Sequence, residues 1–350
     1  AAQRRIKLES GEALFDVAKD PQRPFVVAAG DKEVLAIGTS FVVRRDERRH
    51  AAFQRFPSLP DLFPANSVGI VTARDHLTIH WTADDAWRTV TVFSRMDPEL
   101  ARKGYRLGRD VRDWKVALAQ KDLLDSGPCR QNVVPILYRP FDVRYTYYTG
   151  KSRGFLCMPR PEVMRNMLQR NLALISPKQN QEEFGALAAT TVGAHKSVAA
   201  YHINYYFPLY LYPNGERDLF AAMESSDRTA NLHPKLLDTL KAAHCRYPTP
   251  EQVFHYVYAV LYAPTYRDKY AEFLRSDFPR VPFTKDVALF AKVAKLGERL
   301  TQLHLLDSTA LRSPAAHFGG QGDRKVARGT NAGVRYDPAE ESVYINKSEH

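Results

Sequence analysis

The sequence predicts an α+β chain: a small N-terminal β-meander, a mixed α/β region and a largely helical C-terminal third. Three observations carry that expectation. Before residue 45, short apolar runs alternate with turn residues. From 57 to 212, strand-like and helix-like stretches interleave. After 233, the chain reads as a series of long helical stretches, two of them opening on Pro.

Taken in order, Ile6 and Leu8 alternate with polar neighbours. Apolar runs follow at 14–17, 24–27, 34–37 and 41–43, separated by Ser10-Gly11, Asp20-Pro21, Gly30-Asp31 and Gly38-Thr39. A meander of that size buries too little to be robust alone. The charge run 44–50 reads as a solvated linker or a helix edge, with 45–56 as the join, and the Phe- and Pro-rich stretch 53–63 as an extended connector. Strands are expected at 68–71 and 77–81. Asp97-Pro98-Glu99 starts a helix, and 110–126 forms a second, stopped by Gly127-Pro128. Further strands are expected at 134–138, 141–148, 171–176 and within 201–212, with a short helix at 161–169. The last third offers helices at 233–244, 250–262, 264–275 and 285–306, then a hairpin at 334–345 across Asp337-Pro338. The final residues carry no terminating element, so the chain is expected to be truncated there.

At 350 residues with 44% hydrophobic residues, a sizeable core can form. No apolar run is long enough to span a bilayer, and the N-terminus lacks the apolar region of a signal peptide. Cys129, Cys157 and Cys245 are far apart and odd in number, which suits reduced thiols better than a disulfide framework or a zinc site. The net charge is +11, with 50 Lys and Arg against 39 Asp and Glu. A basic excess favours polyanions, because neutralising phosphates releases counterions. The excess is concentrated between 138 and 210. Arg139, Arg144, Lys151, Arg153, Arg160, Arg165, Arg170, Lys178 and Lys196 face only Asp142, Glu162, Glu182 and Glu183 there.

Catalytic motifs are absent. There is no GxGxxG, no HExxH, no Asp…Glu-x-Lys nuclease centre and no Pro-Pro-aromatic motif of an amino-methyltransferase. The chain is therefore expected to be non-catalytic by itself, with no cofactor and no metal site. What remains is a binding surface. The densest segment, 137–154, offers Arg139, Arg144, Lys151 and Arg153 for phosphates or guanine edges, and Tyr147 and Tyr148 for stacking or phosphate bonds. Strand aromatics more often fill cores, and Asp142 could simply pair with Arg144 or Arg139. A second segment holds Lys178, Gln179 and Asn180, where amides can bond adenine bidentately. A third holds His195 and Lys196 beside small residues that permit close approach. Arg102, Lys103, Arg106, Arg109, Arg112 and Lys115 add a basic face that is solvated in most proteins.

Several long strings resemble one family. They are Phe63-Pro64-Ala65-Asn66-Ser67-Val68-Gly69-Ile70-Val71-Thr72-Ala73-Arg74-Asp75, Ile136-Leu137-Tyr138-Arg139-Pro140-Phe141-Asp142-Val143-Arg144-Tyr145-Thr146-Tyr147-Tyr148, Tyr258-Ala259-Val260-Leu261-Tyr262-Ala263-Pro264-Thr265-Tyr266-Arg267 and Asp277-Phe278-Pro279-Arg280-Val281-Pro282-Phe283. Over residues 56–350 the chain resembles the C-terminal target-recognition region of Type ISP and related single-chain restriction-modification enzymes. The resemblance implies a specificity domain at 57–350 that reads double-stranded DNA. It also implies a cytoplasmic parent enzyme with methyltransferase and translocase domains upstream. That parent would use S-adenosylmethionine, ATP and Mg to methylate adenine at N6 and to cleave DNA. Gly11-Glu12-Ala13-Leu14-Phe15-Asp16-Val17, Arg23-Pro24-Phe25-Val26-Val27 and Gly38-Thr39-Ser40-Phe41-Val42-Val43-Arg44 resemble the FecR family of periplasmic sigma-factor regulators, over residues 4–44. That second likeness implies the alternative of an exported signalling protein.

Overall fold

The computed structural model describes residues 4–9, 11–29, 32–45, 47–179, 185–199, 201–213, 228–245, 247–314, 316–322, 325–327 and 334–350. They fall in two compact units, Ala1–Leu305 and Leu306–His350.

The N-terminal strands are β1 (Arg4–Lys7), β2 (Gly11–Asp16), β3 (Phe25–Ala29), β4 (Lys32–Ala36) and β5 (Ser40–Arg45). The expected β-structure is there, but its strands do not pair in simple chain order. β1 runs parallel to β3, β3 and β4 form a hairpin, and β2 pairs with β5 over its whole length, Gly11 opposite Arg45 and Asp16 opposite Ser40. Phe15 explains the arrangement. Its ring lies 5.5 Å from Phe41 and 5.7 Å from Phe25, so it joins aromatic surface from both ribbons.

Residues 47–54, expected as part of a linker, form helix α1 (Glu47–Gln54). Phe53 is buried 4.8 Å from the Tyr270 ring and 5.1 Å from the Phe273 ring, so this helix belongs to the core that follows. The next stretch is not extended either. Ser58 caps α2 (Leu59–Leu62) in a reciprocal capping box with Asp61, and Leu59, Leu62 and Phe63 are buried.

Next come β6 (Ser67–Val68), α3 (Asp75–Thr78), α4 (Ala83–Phe93), α5 (Pro98–Gly104), α6 (Val116–Asp125), β7 (Val133–Arg139), β8 (Asp142–Tyr147), α7 (Pro161–Met164), β9 (Ala173–Pro177), β10 (Leu187–Ala189), β11 (Val192–Gly193), β12 (Asn204–Pro208), β13 (Tyr210–Leu211) and β14 (Thr229–Ala230). Two expectations are corrected here. Residues 77–81 are not a strand: the chain makes the single turn of α3, and only His80 pairs, with Tyr145. The helix expected from 110 begins at Val116. The Asp110 carboxylate accepts the Val116 N–H at 3.2 Å and pairs with Arg102 at 2.9 Å, which holds Asp110 outside the helix.

The sheet β10-β9-β12-β6 divides two cores. Along β9, Ala173 and Ile175 enter one apolar cluster and Leu174 enters the other. Along β12, Tyr206 enters the first and Phe207 the second. The period of two in side-chain direction makes each strand apolar on both faces. The first cluster lies with α4–α6 and the sheet β11-β7-β8. The second lies with α8 (Pro234–His244), α9 (Pro250–Tyr262), α10 (Pro264–Leu274) and α11 (Val287–His304). Thr249 caps α9 in a second capping box, and Asp286 caps α11. Helices α9 and α11 meet at Gly297, where a Cβ would come within 1.8 Å of the His255 carbonyl oxygen.

In the C-terminal unit, β15 (Arg335–Asp337) and β16 (Ser342–Tyr344) form the expected hairpin, Arg335 opposite Tyr344.

Candidate nucleic-acid interface

Topology decides which candidate residues can act together. β9 ends where β12 begins, with Pro177 opposite Asn204. β6 leaves at the same place, since the Gly69 N–H donates to the Asn204 carbonyl at 3.0 Å. The chain then crosses to the other sheet: the Ile70 N–H donates to Gly193 O at 2.8 Å and the His195 N–H to Ile70 O at 3.0 Å. There β11 runs parallel to β7, with Gly193 opposite Leu137. The ends of β6, β7, β9 and β11 and the starts of β8 and β12 therefore share one edge. This edge carries Arg139, Arg144, Lys178, Gln179, His195 and Lys196.

Their surroundings differ. Arg139 packs on Tyr138, 3.9 Å from the ring centroid, and donates to the Tyr138 carbonyl at 2.7 Å. Lys196 is exposed. Neither Arg139 nor Lys196 has an ion pair with a described carboxylate. Lys178 is only loosely paired, 4.0 Å from Asp277, and Gln179 donates to Ser276 O at 3.2 Å. Asn180 lies outside the described residues. His195 donates from Nδ1 to Ile70 O at 3.1 Å, which leaves Nε2 as the acceptor nitrogen. Burial holds its pKa below the usual value, opposed by the Ile70 bond, and Lys196 lowers it further, so the ring is neutral at pH 7. Arg144 is fully engaged. Its guanidinium makes three bonds to Asp142 at 2.8–3.0 Å and stacks 3.8 Å from Trp81 and 4.5 Å from Tyr138.

The loop behind Lys196 is braced from inside. The Ser197 and Tyr206 hydroxyls are 2.6 Å apart and buried, and the Asn204 amide oxygen accepts the Val198 and Ala199 N–H groups. Gly193 is required there, since a Cβ would meet the Tyr206 hydroxyl at 1.8 Å.

Exposed apolar side chains on or beside this edge that were not among the sequence candidates include Trp81, Phe141, Val143, Tyr201 and Ile203. Phe141 sits in the β7–β8 turn with φ +61°, after Pro140, the order of a type II turn. Its ring meets His304 edge-on at 6.0 Å.

The remaining candidates lie at the opposite end of β8. Tyr147 and Tyr148, expected as DNA contacts, are core residues, 0% and 1% exposed. The Tyr147 hydroxyl accepts from Cys129 N at 3.0 Å and Asn132 Nδ2 at 3.1 Å, and Tyr148 donates to Pro159 O at 3.2 Å. Their hydroxyls are thus spent inside the protein. Lys151 and Arg153 are exposed but paired, with Asp125 at 2.9 Å and Asp113 at 3.4 Å. The loop carrying them hangs on Asp122, whose carboxylate accepts from Thr149 Oγ1 at 2.9 Å and Phe155 N at 2.8 Å. Burial raises the Asp122 pKa against those bonds. In the basic stretch 102–115, Arg102 pairs with Asp110 and Glu99, and Arg112 with Asp113. Among the described residues, no group of three or more His, Cys, Asp or Glu is placed to hold a metal, and no helix is long and apolar enough to cross a membrane.

Two family models match. The Type ISP C-terminal specificity domain matches residues 61–350, and FecR protein matches residues 1–53. None of the curated proteins compared matches the chain. Among solved structures, a DrdV–DNA complex determined by cryo-electron microscopy superposes with a TM-score of 0.59 at 22% identity, covering 82% of this chain and 28% of that one. The Type ISP enzyme LlaBIII bound to DNA gives 0.57 at 17% identity, covering 85% and 19%. A nuclease-deletion mutant of LlaGI with a DNA substrate mimic gives 0.52 at 17%, covering 85% and 23%. The fold is thus shared with these proteins, and the chain spans less than a third of the length of each.

Proposed function

Because the chain belongs to the Type ISP C-terminal specificity domain family, we propose that it is the DNA-reading module of a restriction-modification enzyme. The family match over residues 61–350 carries this reading. The shared edge supports it. Arg139 and Lys196 are placed there without carboxylate partners among the described residues, beside the Gln179 amide and the neutral His195. Cations attach the phosphates, while amide and imidazole groups can bond base edges.

The rest of the enzyme is proposed on the same footing. Upstream methyltransferase and translocase domains would use S-adenosylmethionine, ATP and Mg, in the cytoplasm, to methylate an adenine at N6 and to cleave. The module would position the duplex for that chemistry, including extrusion of the target base. The alternative, a periplasmic FecR-like regulator, has only the match at residues 1–53 behind it, and α1 within that stretch packs on the C-terminal core.

Anisotropy titration of the full 350-residue chain against random duplex tests the proposal. Binding is expected at low salt and should weaken as salt rises, with log K falling by about 0.9 per log unit of salt for each phosphate contacted. Absence of binding at low salt would sink it.

A further inference from the structure

Resting on the DNA-reading proposal, we propose that Trp81 is a stacking platform for an unpaired nucleobase. Four side chains form an alternating series. Arg139 lies 3.9 Å from the Tyr138 ring, Arg144 lies 4.5 Å from the same ring, and Arg144 lies 3.8 Å from the Trp81 ring. The series is pinned at two points. The Tyr138 hydroxyl donates to the Asp75 carboxylate at 2.7 Å, and Arg144 is held by its three bonds to Asp142. His80, the neighbour of Trp81, is anchored by backbone bonds to Tyr145 at 2.9 and 2.8 Å.

The series ends in the open. Trp81 is 69% exposed, although one side of its indole already takes Arg144. An indole of that exposure leaves a large apolar face in water, fixed in orientation by a cation that is itself fixed. The geometry suits a flat aromatic partner, because any base presents a π face whatever its identity. Charge narrows the choice to nucleic acid. Asp142 and Asp75 are occupied by Arg144 and Tyr138, whereas Arg139 at the other end of the series has no described carboxylate partner and can hold a phosphate. Bases in an intact duplex cover each other's faces, so the occupant is a base released from its stack, flipped or left without its partner.

The test uses the full chain, a random duplex and the same duplex with one bulged base. The wild type is expected to bind the bulged duplex more tightly and to lose tryptophan emission on binding. Trp114 is buried and Trp87 half-buried, so the quenched fluorophore is identified by its absence from Trp81→Phe. Trp81→Ala should weaken bulged-duplex binding by roughly five- to hundredfold. Its loss on the bulged duplex should clearly exceed its loss on the fully paired duplex, and Trp81→Phe should retain most of the preference. Circular dichroism confirms folding, and wild-type quenching needs no variant. If wild type binds both duplexes equally, or Trp81→Ala keeps the preference, the platform is overturned and DNA reading stands. If oligonucleotide leaves the emission unchanged while raising chain concentration quenches it, the indole is a protein contact and the proposal fails. If wild type binds no DNA at all, the DNA-reading proposal fails first and the platform falls with it.

Discussion

The two ends of β8 carry similar sequence and opposite physics. Both hold aromatic residues interleaved with Arg and Lys. At the start of β8, Arg139 and Lys196 have no carboxylate partner among the described residues, and Trp81, Phe141 and Tyr201 stand in solvent. At its far end, Tyr147 and Tyr148 fill the core, and Lys151 and Arg153 are matched by Asp125 and Asp113. Those two acids come from the 110–125 stretch, outside the basic window read from the sequence. A local count of cations therefore overstates the charge available to phosphate. What matters is which cations remain unmatched once distant acids fold against them.

The largest expected effect breaks the far end. Asp122→Ala leaves the half-buried Thr149 hydroxyl and the buried Phe155 N–H without their acceptor. Stranding two such groups costs roughly 2–4 kcal/mol, read as a lowered denaturant midpoint. If the far end is structural only, DNA affinity per folded molecule stays the same.

A pair of charge reversals sharpens the contrast. Arg139→Glu with Lys196→Glu should weaken random-duplex binding at low salt by about tenfold or more and reduce the salt slope by about two. Lys151→Glu with Arg153→Glu removes cations already neutralised, so its effect should stay within about threefold. Equal losses from both pairs would dissolve the distinction between the two ends.

The sequence exposed much of the scaffold. A capping Asp and a proline marked α5, apolar-periodic stretches marked α9 and α11, and short apolar runs marked β7, β8 and β9. It failed where a short-range bond overrode the pattern. Residues 77–81 alternate well enough for a strand, which would turn Leu77, Ile79 and Trp81 to one buried face. Instead the Thr78 hydroxyl donates to Arg74 O at 3.0 Å and the chain turns as α3, so Leu77 is buried and Trp81 is not. That single turn hid the exposed indole from a pattern-based search. Pairing of Lys151 and Arg153 was hidden for another reason, since Asp125 and Asp113 are 26 and 40 residues away in sequence and no periodicity links them. The convergence of the β6, β7, β9 and β11 ends was equally out of reach, because strand order is fixed by long-range pairing.

The smallest effect separates the two ends by pH. At the shared edge and beside it, His195 and His80 have pKa values held below the ordinary 6.5, chiefly by burial. A histidine with a depressed folded pKa binds its proton more readily when unfolded. Its contribution to stability is full above about 6.5 and is lost as pH falls through the lowered value. At the far end, Asp125 is lowered by Lys151 and Lys121 and Asp113 by Arg112, so their contribution persists until pH falls below the carboxylate range. Asp122 runs the other way, since its raised pKa favours the folded state as it protonates, again nearer the carboxylate range. Hydrogen exchange corrected for intrinsic rates, followed from about pH 7 to about pH 5, should show protection falling around residues 192–199 while residues 149–157 hold. Loss at both segments together, or at 149–157 first, would mean that the histidines do not set the acid limit of the shared edge, and that the two ends unfold as one unit.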